Sequence, residues 1–238
     1  MLMQKVAIII PCYNEEKRIE QDKIAALLQH ATADVYLCND GSTDGTTAVL
    51  NSIAAQHPGR CFVIDYKKNS GKANTIYNSV NTLLANSGYT HIGYFDADFS
   101  TPAQEAIRML QWIDKKPQNF IIGSRVLLLN SDIKRKTYRH IIGRFIVTIV
   151  NLKFKLGIYD TQCGAKIFPA HIAAVAFSKP FNTSWLFDIE LFIRLQKSGL
   201  LKLGKELPLK EWKDVDGSKL GWKTSFKILK EIYTLYKL

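Results

Sequence analysis

Cysteine, acid and long apolar runs are all scarce in this chain, and each shortage rules something out. The four cysteines, Cys12, Cys38, Cys61 and Cys163, are far apart and form no C-x-x-C pair. That spacing excludes a disulfide scaffold and a zinc cluster. Cys12, Cys38 and Cys61 lie in or beside apolar runs, where a thiol packs as a small hydrophobe, so reduced cysteines in a cytoplasmic setting are expected. No stretch reaches the roughly 18 uncharged apolar residues that span a bilayer. Met1 leads quickly into VAIIIP, too short and too abruptly ended for a signal peptide, so a soluble or peripheral protein is expected. Repeats, low-complexity tracts and linkers are missing too, and the 238 residues are read as one domain. No RNP-like or helix-turn-helix pattern is present, so nucleic acid is not expected as a partner. Acid is the largest deficit: 21 Asp and Glu stand against 32 Lys and Arg, a net charge of +11. Such an excess draws the chain toward anions, either phosphorylated substrates or a lipid surface.

What is present is a rhythm. Apolar runs at Lys5–Ile10, Asp34–Asn39, Cys61–Tyr66, His91–Phe95 and Asn119–Gly123 read as strands. Helical patterns fill the gaps at Glu15–Gln29, Thr43–Gln56, Lys72–Asn86 and Pro102–Lys115. This alternation predicts an α/β fold with a mainly parallel sheet and helices on both faces. Ligands in such sheets bind beyond the carboxyl ends of the strands. Polar turn-forming residues follow all five predicted strands: Pro11 to Glu15, Asp40 to Asp44, Asn69 to Lys72, Asp96 to Asp98, and Ser124-Arg125.

The most informative of these segments is HIGYFDADFSTP. Asp96 and Asp98 end an apolar run and share a face on a regular strand. Two anions that close repel each other unless a cation lies between them, and Mg²⁺ or Mn²⁺ binds carboxylates while leaving positions for a diphosphate. By itself a D-x-D is also compatible with a solvated turn. PCYNEE places Tyr13 where an aromatic ring can stack on a nucleobase, while Glu15 and Glu16 equally complement a helix dipole. NDGSTDGT supplies Asp40 and cap candidates Ser42 and Thr43, as an ordinary β-α turn also would. NSGKANT sets Gly71 and Lys72 at a helix start suited to an anion, without the pattern of a Walker loop. Arg125 at a strand mouth suits phosphate.

Together, IPCYNEE, NDGSTDGT, GKANT, FDADFSTP and GSR resemble, in order and spacing, the family-two glycosyltransferases with the GT-A (Rossmann-like) fold. DTQCGAKIF (160–168), FDIE (187–190) and EWKDVDGSKL (211–220) are similar to the dolichyl- or polyprenyl-phosphate β-glucosyltransferase branch. The resemblance implies a UDP-sugar donor and a polyprenyl phosphate acceptor. It implies a nucleotide-sugar pocket of Pro11, Tyr13, Glu15, Asp40, Gly71, Lys72, Asp96 and Ala97, with Asp98 and Asp96 at the metal. Asp98, Asp188, Arg125 and Lys219 are the implied catalytic set, and Arg125, Arg139, Ser218 and Lys219 the implied grip on the acceptor phosphate. Ser100 stands where the related mannose synthases carry Gln, which removes an expected third ligand from that segment.

The chemistry expected is inverting transfer, with a metal and basic side chains stabilising the departing nucleoside diphosphate. A lipid monophosphate is already ionised and needs only alignment. A sugar hydroxyl would need a base, and Asp188 lies where inverting relatives place one; hydrogen bonding that fixes a basic side chain is its other reading. On this reading residues 1–125 bind the nucleotide sugar, and residues 126–238 bind the acceptor and face the membrane. Residues 132–158 are basic and apolar at once. They read as a pair of amphipathic helices, with Ile141, Ile142, Phe145, Ile146, Ile149 and Phe154 on one side and Lys134, Arg135, Lys136 and Arg139 at lipid headgroups; the other reading packs the apolar stripe against the sheet and leaves the basic residues as a solvated rim. The tail Trp222–Leu238 has helical spacing and serves the same surface or a homodimer.

Overall fold

The alternation of apolar runs and helices builds a single central sheet. A computed structural model describes residues 4–29, 33–86, 88–215 and 222–238. The strands are β1 (Val6–Cys12), β2 (Ala33–Asp40), β3 (Cys61–Tyr66), β4 (His91–Phe95), β5 (Phe120–Ser124), β6 (Asp132–Lys134), β7 (Ala165–Pro169), β8 (Gly204–Pro208) and β9 (Glu211–Lys213). The helices are α1 (Gln21–Leu28), α2 (Thr46–Gln56), α3 (Lys72–Asn86), α4 (Ala103–Lys115), α5 (Thr137–Phe154), α6 (Ala170–Ala176), α7 (Phe187–Lys197) and α8 (Trp222–Tyr236). Seven strands pair in the order β3-β2-β1-β4-β7-β5-β8, and β7 alone runs antiparallel to its neighbours β4 and β5. β6 and β9 form a small parallel pair of their own.

Strand β1 shows why the sheet forms. Val6 to Ile10 are all buried because helices cover both faces, as near-continuous apolar strands require. Ala7 and Ile9 face a core shared with α3, α5, α6, α7 and α8. Val6, Ile8 and Ile10 face the other core, with α1, α2 and α4. The chain order reverses between β1 and β4, so their carboxyl ends open a crevice suited to a ligand. All four cysteines are free and buried, and burial pushes the Cys38 thiol up to about 12 and the Cys163 thiol up to about 11.

Three expectations change. Pro11 and Cys12 continue β1, paired with Cys38 and Asn39, and do not follow it. Residues 15–20 are a turn at 16–18 flanked by irregular chain and not the start of a helix. The cause is local: Asn14 adopts φ 55°, its side chain accepts from Thr43 N–H at 2.9 Å, and Glu15 N–H donates to Thr46 at 2.8 Å, which bends the chain across α2 before α1 begins. Residues 132–158 form one strand and one helix, not a helix pair, because β6 pairs with β9 and Lys155 (φ 52°) with Gly157 (φ 69°) ends α5.

Candidate active site

Asp96 leaves β4 at the crevice and donates its N–H to the Gly164 carbonyl at 3.1 Å. Its carboxylate lies over Gly164, where a Cβ would come within 1.9 Å of Oδ2. Only glycine at 164 leaves Asp96 its place. The chain then turns sharply: Phe99 adopts φ 49°, and Asp98 accepts from Ser100 N–H at 2.9 Å, leaving Asp98 partly exposed at the mouth. Ala97 is buried between the two acids. Lys72, the first residue of α3, forms an ion pair with Asp96. Partial burial opposes its charge, but Asp96, Asp188 and Asp98 outweigh that and hold its pKa above the ordinary lysine value. Lys72, Asp96, Asp98 and Asp188, separate in sequence, therefore share one electrostatic site.

The loops after β1, β2 and β3 close the near side. Asp40 is buried and accepts from Ser70 N–H at 2.8 Å, Ser70 Oγ at 3.2 Å and Gly71 N–H at 2.8 Å. It thereby shapes the turn that brings Gly71 (φ 86°) to the start of α3. Glu15 is buried and accepts from Arg18 at 2.6 Å, while Pro11 and Tyr13 are partly exposed beside it.

Asp188 begins α7 and is almost fully buried. It accepts from the Tyr94 hydroxyl and pairs with the fully buried Lys166 ammonium at 2.8 Å. Lys166 also donates to the Cys163 carbonyl at 2.5 Å. Arg125 holds Asp160 with two parallel bonds, Nε at 2.7 Å and Nη2 at 2.8 Å, and lies 5.2 Å from the Trp212 ring. Burial alone would favour protonation of Asp160, but Arg125 holds its carboxyl well below the usual carboxylate range. Arg139 pairs with Asp214. Arg135 packs beside Gly143, and burial together with the like charge of Arg125 lowers its pKa. Ser218 and Lys219 lie outside the described residues.

The family model for glycosyl transferase family 2 matches residues 7–179. The chain belongs to that family. It is 28% identical over 95% of its length to a dolichyl-phosphate β-glucosyltransferase of Dictyostelium discoideum, of which it covers 72%. It is 29% identical over 90% of its length to one of Trichomonas vaginalis, of which it covers 68%. Among solved structures it superposes with a TM-score of 0.73 on glucosyl-3-phosphoglycerate synthase from Mycobacterium tuberculosis, bound to Mn²⁺, UDP and glucosyl-3-phosphoglycerate. At 15% identity, across 98% of this chain and 79% of that one, the match shows the GT-A fold.

Several site residues went unseen in the sequence. Gly164 and Lys166 sit in the DTQCGAKIF segment, which reads as a short strand over Gln162–Phe168 and as a family motif, without marking either residue. Asp160 and Asp214 lie in the DTQCGAKIF and EWKDVDGSKL motifs, but their partners are arginines 35 and 75 residues away, and nothing local gives that pairing.

Proposed function

We propose that this glycosyltransferase transfers glucose from UDP-glucose to a polyprenyl phosphate with inversion, giving the β-linked product, and that it uses Mg²⁺ or Mn²⁺. The observation that carries the reading is the meeting of Asp96, Asp98 and Lys72 at the mouth of β4, with Asp188 behind them. The names of the relatives support the sugar and the acceptor.

The residues present fit a hard divalent ion. Asp96 and Asp98 supply carboxylate oxygens, and no group of three or more His, Cys, Asp or Glu gathers among the described residues to enclose an ion completely. Two carboxylates completed by substrate phosphate and water are a usual set for such ions. When bound, the ion would neutralise charge on the leaving diphosphate.

The chain's own groups do the remainder. Pro11, Tyr13, Glu15 and Asp40 line the base and ribose side. Lys72 adds a positive charge at the departing UDP, and because its pKa is raised it stays protonated throughout the neutral range. Asp188 already accepts from Tyr94 and Lys166 through one carboxylate oxygen, so its role here is to hold these two groups in place behind the site. A lipid phosphate needs no base, and that acceptor suits this site. Arg125 and Arg139 are already held by Asp160 and Asp214, and they border the acceptor phosphate that Ser218 and Lys219 are proposed to grip.

No described helix is long and apolar enough to cross a membrane. Leu127, Leu129, Ile141, Phe145 and Leu152 are nonetheless well exposed on and before α5, among basic residues. They form the contact to an anionic bilayer, and the protein works as a peripheral enzyme at the cytoplasmic face.

The test is radiolabelled transfer from UDP-glucose to undecaprenyl phosphate in the presence of Mn²⁺, with GDP-mannose and soluble glycans as controls. Lipid-soluble glucose that is lost with EDTA is expected. Transfer only to a glycan hydroxyl, abolished in Asp188→Asn, would replace the acceptor in this reading.

A further inference from the structure

Five consecutive backbone N–H groups, Asn182 to Leu186, all donate to two buried carboxylates. Glu190, within α7, takes those of Asn182 at 2.9 Å and Thr183 at 3.2 Å. Glu231, in the middle of α8, takes those of Ser184 at 3.2 Å and of Trp185 and Leu186 at 2.9 Å, and the Ser184 hydroxyl at 2.9 Å. Glu231 stands 45 residues beyond Leu186 and is buried, although Lys227, Leu229, Lys230 and Tyr233 around it are exposed. Its face of α8 also carries Ile228 and Leu235, both in the core shared with α7. An apolar residue at 231 would serve that packing with no polar group to desolvate, whereas a carboxylate has to be compensated by charge-assisted hydrogen bonds. The carboxylate therefore belongs to the 184–186 turn rather than to the docking of α8.

That turn leads straight into the site. Leu186 precedes α7 and caps it with no side-chain hydrogen bond, so the start of the helix is set from outside. Phe187 and Asp188 follow. The Phe187 ring lies 5.9 Å from the Lys72 ammonium, and Asp188 holds Lys166 at 2.8 Å and the Tyr94 hydroxyl. Phe181, just before the bonded run, meets Phe187 at 5.4 Å and Tyr77 of α3 at 6.3 Å between ring centres. Glu190 moves with α7 and cannot fix its place. Glu231 reaches in from another helix and can.

We propose that Glu231 is a positioning residue for glycosyl transfer: by tying Ser184, Trp185 and Leu186 to α8 it fixes where α7 begins, and so holds Phe187 against Lys72 and Asp188 against Lys166. The inference rests on the transfer reading above. Glu231 works through those two residues. A misplacement of about 1 Å can cost about 10²-fold in rate, so release of the turn shows as lost turnover and not as lost nucleotide affinity.

The experiment compares Glu231→Gln with Tyr236→Phe. The first keeps the size of the side chain but turns an N–H toward backbone donors. The second removes the bond of α8 to the Ile149 carbonyl of α5, 2.9 Å long, and leaves the turn intact. With UDP-glucose, Mn²⁺ and undecaprenyl phosphate, below the unfolding range of both, Glu231→Gln is expected to lose about 10- to 100-fold in kcat while UDP affinity stays within about two-fold. Tyr236→Phe should stay within about two-fold of wild type in both. Combined with Asp188→Asn, Glu231→Gln should cost less than the product of the two single losses, since both act on one unit. Labelled with 5-fluorotryptophan, the Trp185 resonance should move in Glu231→Gln and stay in place in Tyr236→Phe. If Glu231→Gln does not fold, Ser184→Ala deletes one of the four bonds, with an expected kcat loss of about three-fold. An unchanged kcat, an equal loss in Tyr236→Phe, losses that multiply in the double variant or an unmoved Trp185 resonance would each overturn the positioning role. A wild type that transfers glucose to no lipid phosphate would overturn the proposed function instead, and the Trp185 resonance would still test the turn.

Discussion

The side of the crevice proposed to bind the donor (the donor side below) is held by hydrogen bonds from backbone amides to short polar side chains, whereas the side proposed to bind the acceptor (the acceptor side) is held by buried ion pairs between distant segments. Asp40 closes the Ser70–Gly71 turn through two N–H groups, and Asn14 and Thr46 bind the neighbouring loops. Across the crevice, Arg125–Asp160, Arg139–Asp214 and Lys166–Asp188 join β5, β7, α5, α7 and the segment after β9. The difference has an energetic consequence. Loss of one polar contact in a turn costs a little, but removing one member of a buried pair strands the other charge in a medium that solvates it poorly. The donor side can therefore lose function without losing its fold, and the acceptor side cannot.

The largest effect should come from Lys166→Met. It leaves Asp188 buried with the Tyr94 hydroxyl alone, and urea melts are expected to show a loss of about 3–5 kcal/mol. Adding Asp188→Leu should recover much of that stability but not transfer activity; if the single variant were as stable as wild type, the contrast between the two sides would fail. Next is Asp98→Ala on the donor side. Transfer should fall on the order of 10²–10³-fold, the range seen when a charge-stabilising group is removed. The melting temperature should hardly move, since Asp98 is partly exposed and caps only the Ser100 N–H.

Acid supplies a third test. The carboxyl of Asp160 is depressed in the folded state, so its stabilisation is fully present above the unfolded value near pH 4 and is lost as pH falls through the folded value. Wild type should lose about 1 kcal/mol from this group between pH 7 and pH 3, the remainder going at still lower pH, and Asp160→Asn should be weaker at neutral pH but flatter there. Chemical denaturation at pH 7, 4 and 3 would measure both. The smallest effect concerns the exposed apolar face of α5. Ile141→Ser with Phe145→Ser should weaken sedimentation with anionic vesicles about tenfold while leaving the melting curve in place. An unchanged vesicle affinity would remove α5 from the membrane contact.

Much of the donor side was legible in the sequence because its determinants are local. Cys61–Tyr66, His91–Phe95 and Lys72–Asn86 have the same bounds as strands and helix in the structure that periodicity predicts. Asp96, Asp98 and Lys72 stand where strand-end reasoning places them. The segment before α1 was misread because Glu15 to Lys17 look helical until Thr46 and Ser42 bend them. The acceptor side was harder. A helix pair was read over 132–158 because alternating basic and apolar residues satisfy helical spacing, and only pairing of β6 with β9 removes its first turn.

The order of apolar runs and turns, with the acids and glycines that follow them, was enough to specify the parallel sheet, its ligand-bearing edge and the family chemistry. These depend on contacts a few residues apart, or on a periodicity carried by the chain itself. The insertion of β7 between β4 and β5, the seat that Gly164 makes for Asp96, and the choice of a carboxylate for each buried cation were decided only on folding. Ion pairing is long in reach and indifferent to sequence distance, so any of 21 acids could have met each base until packing selected one.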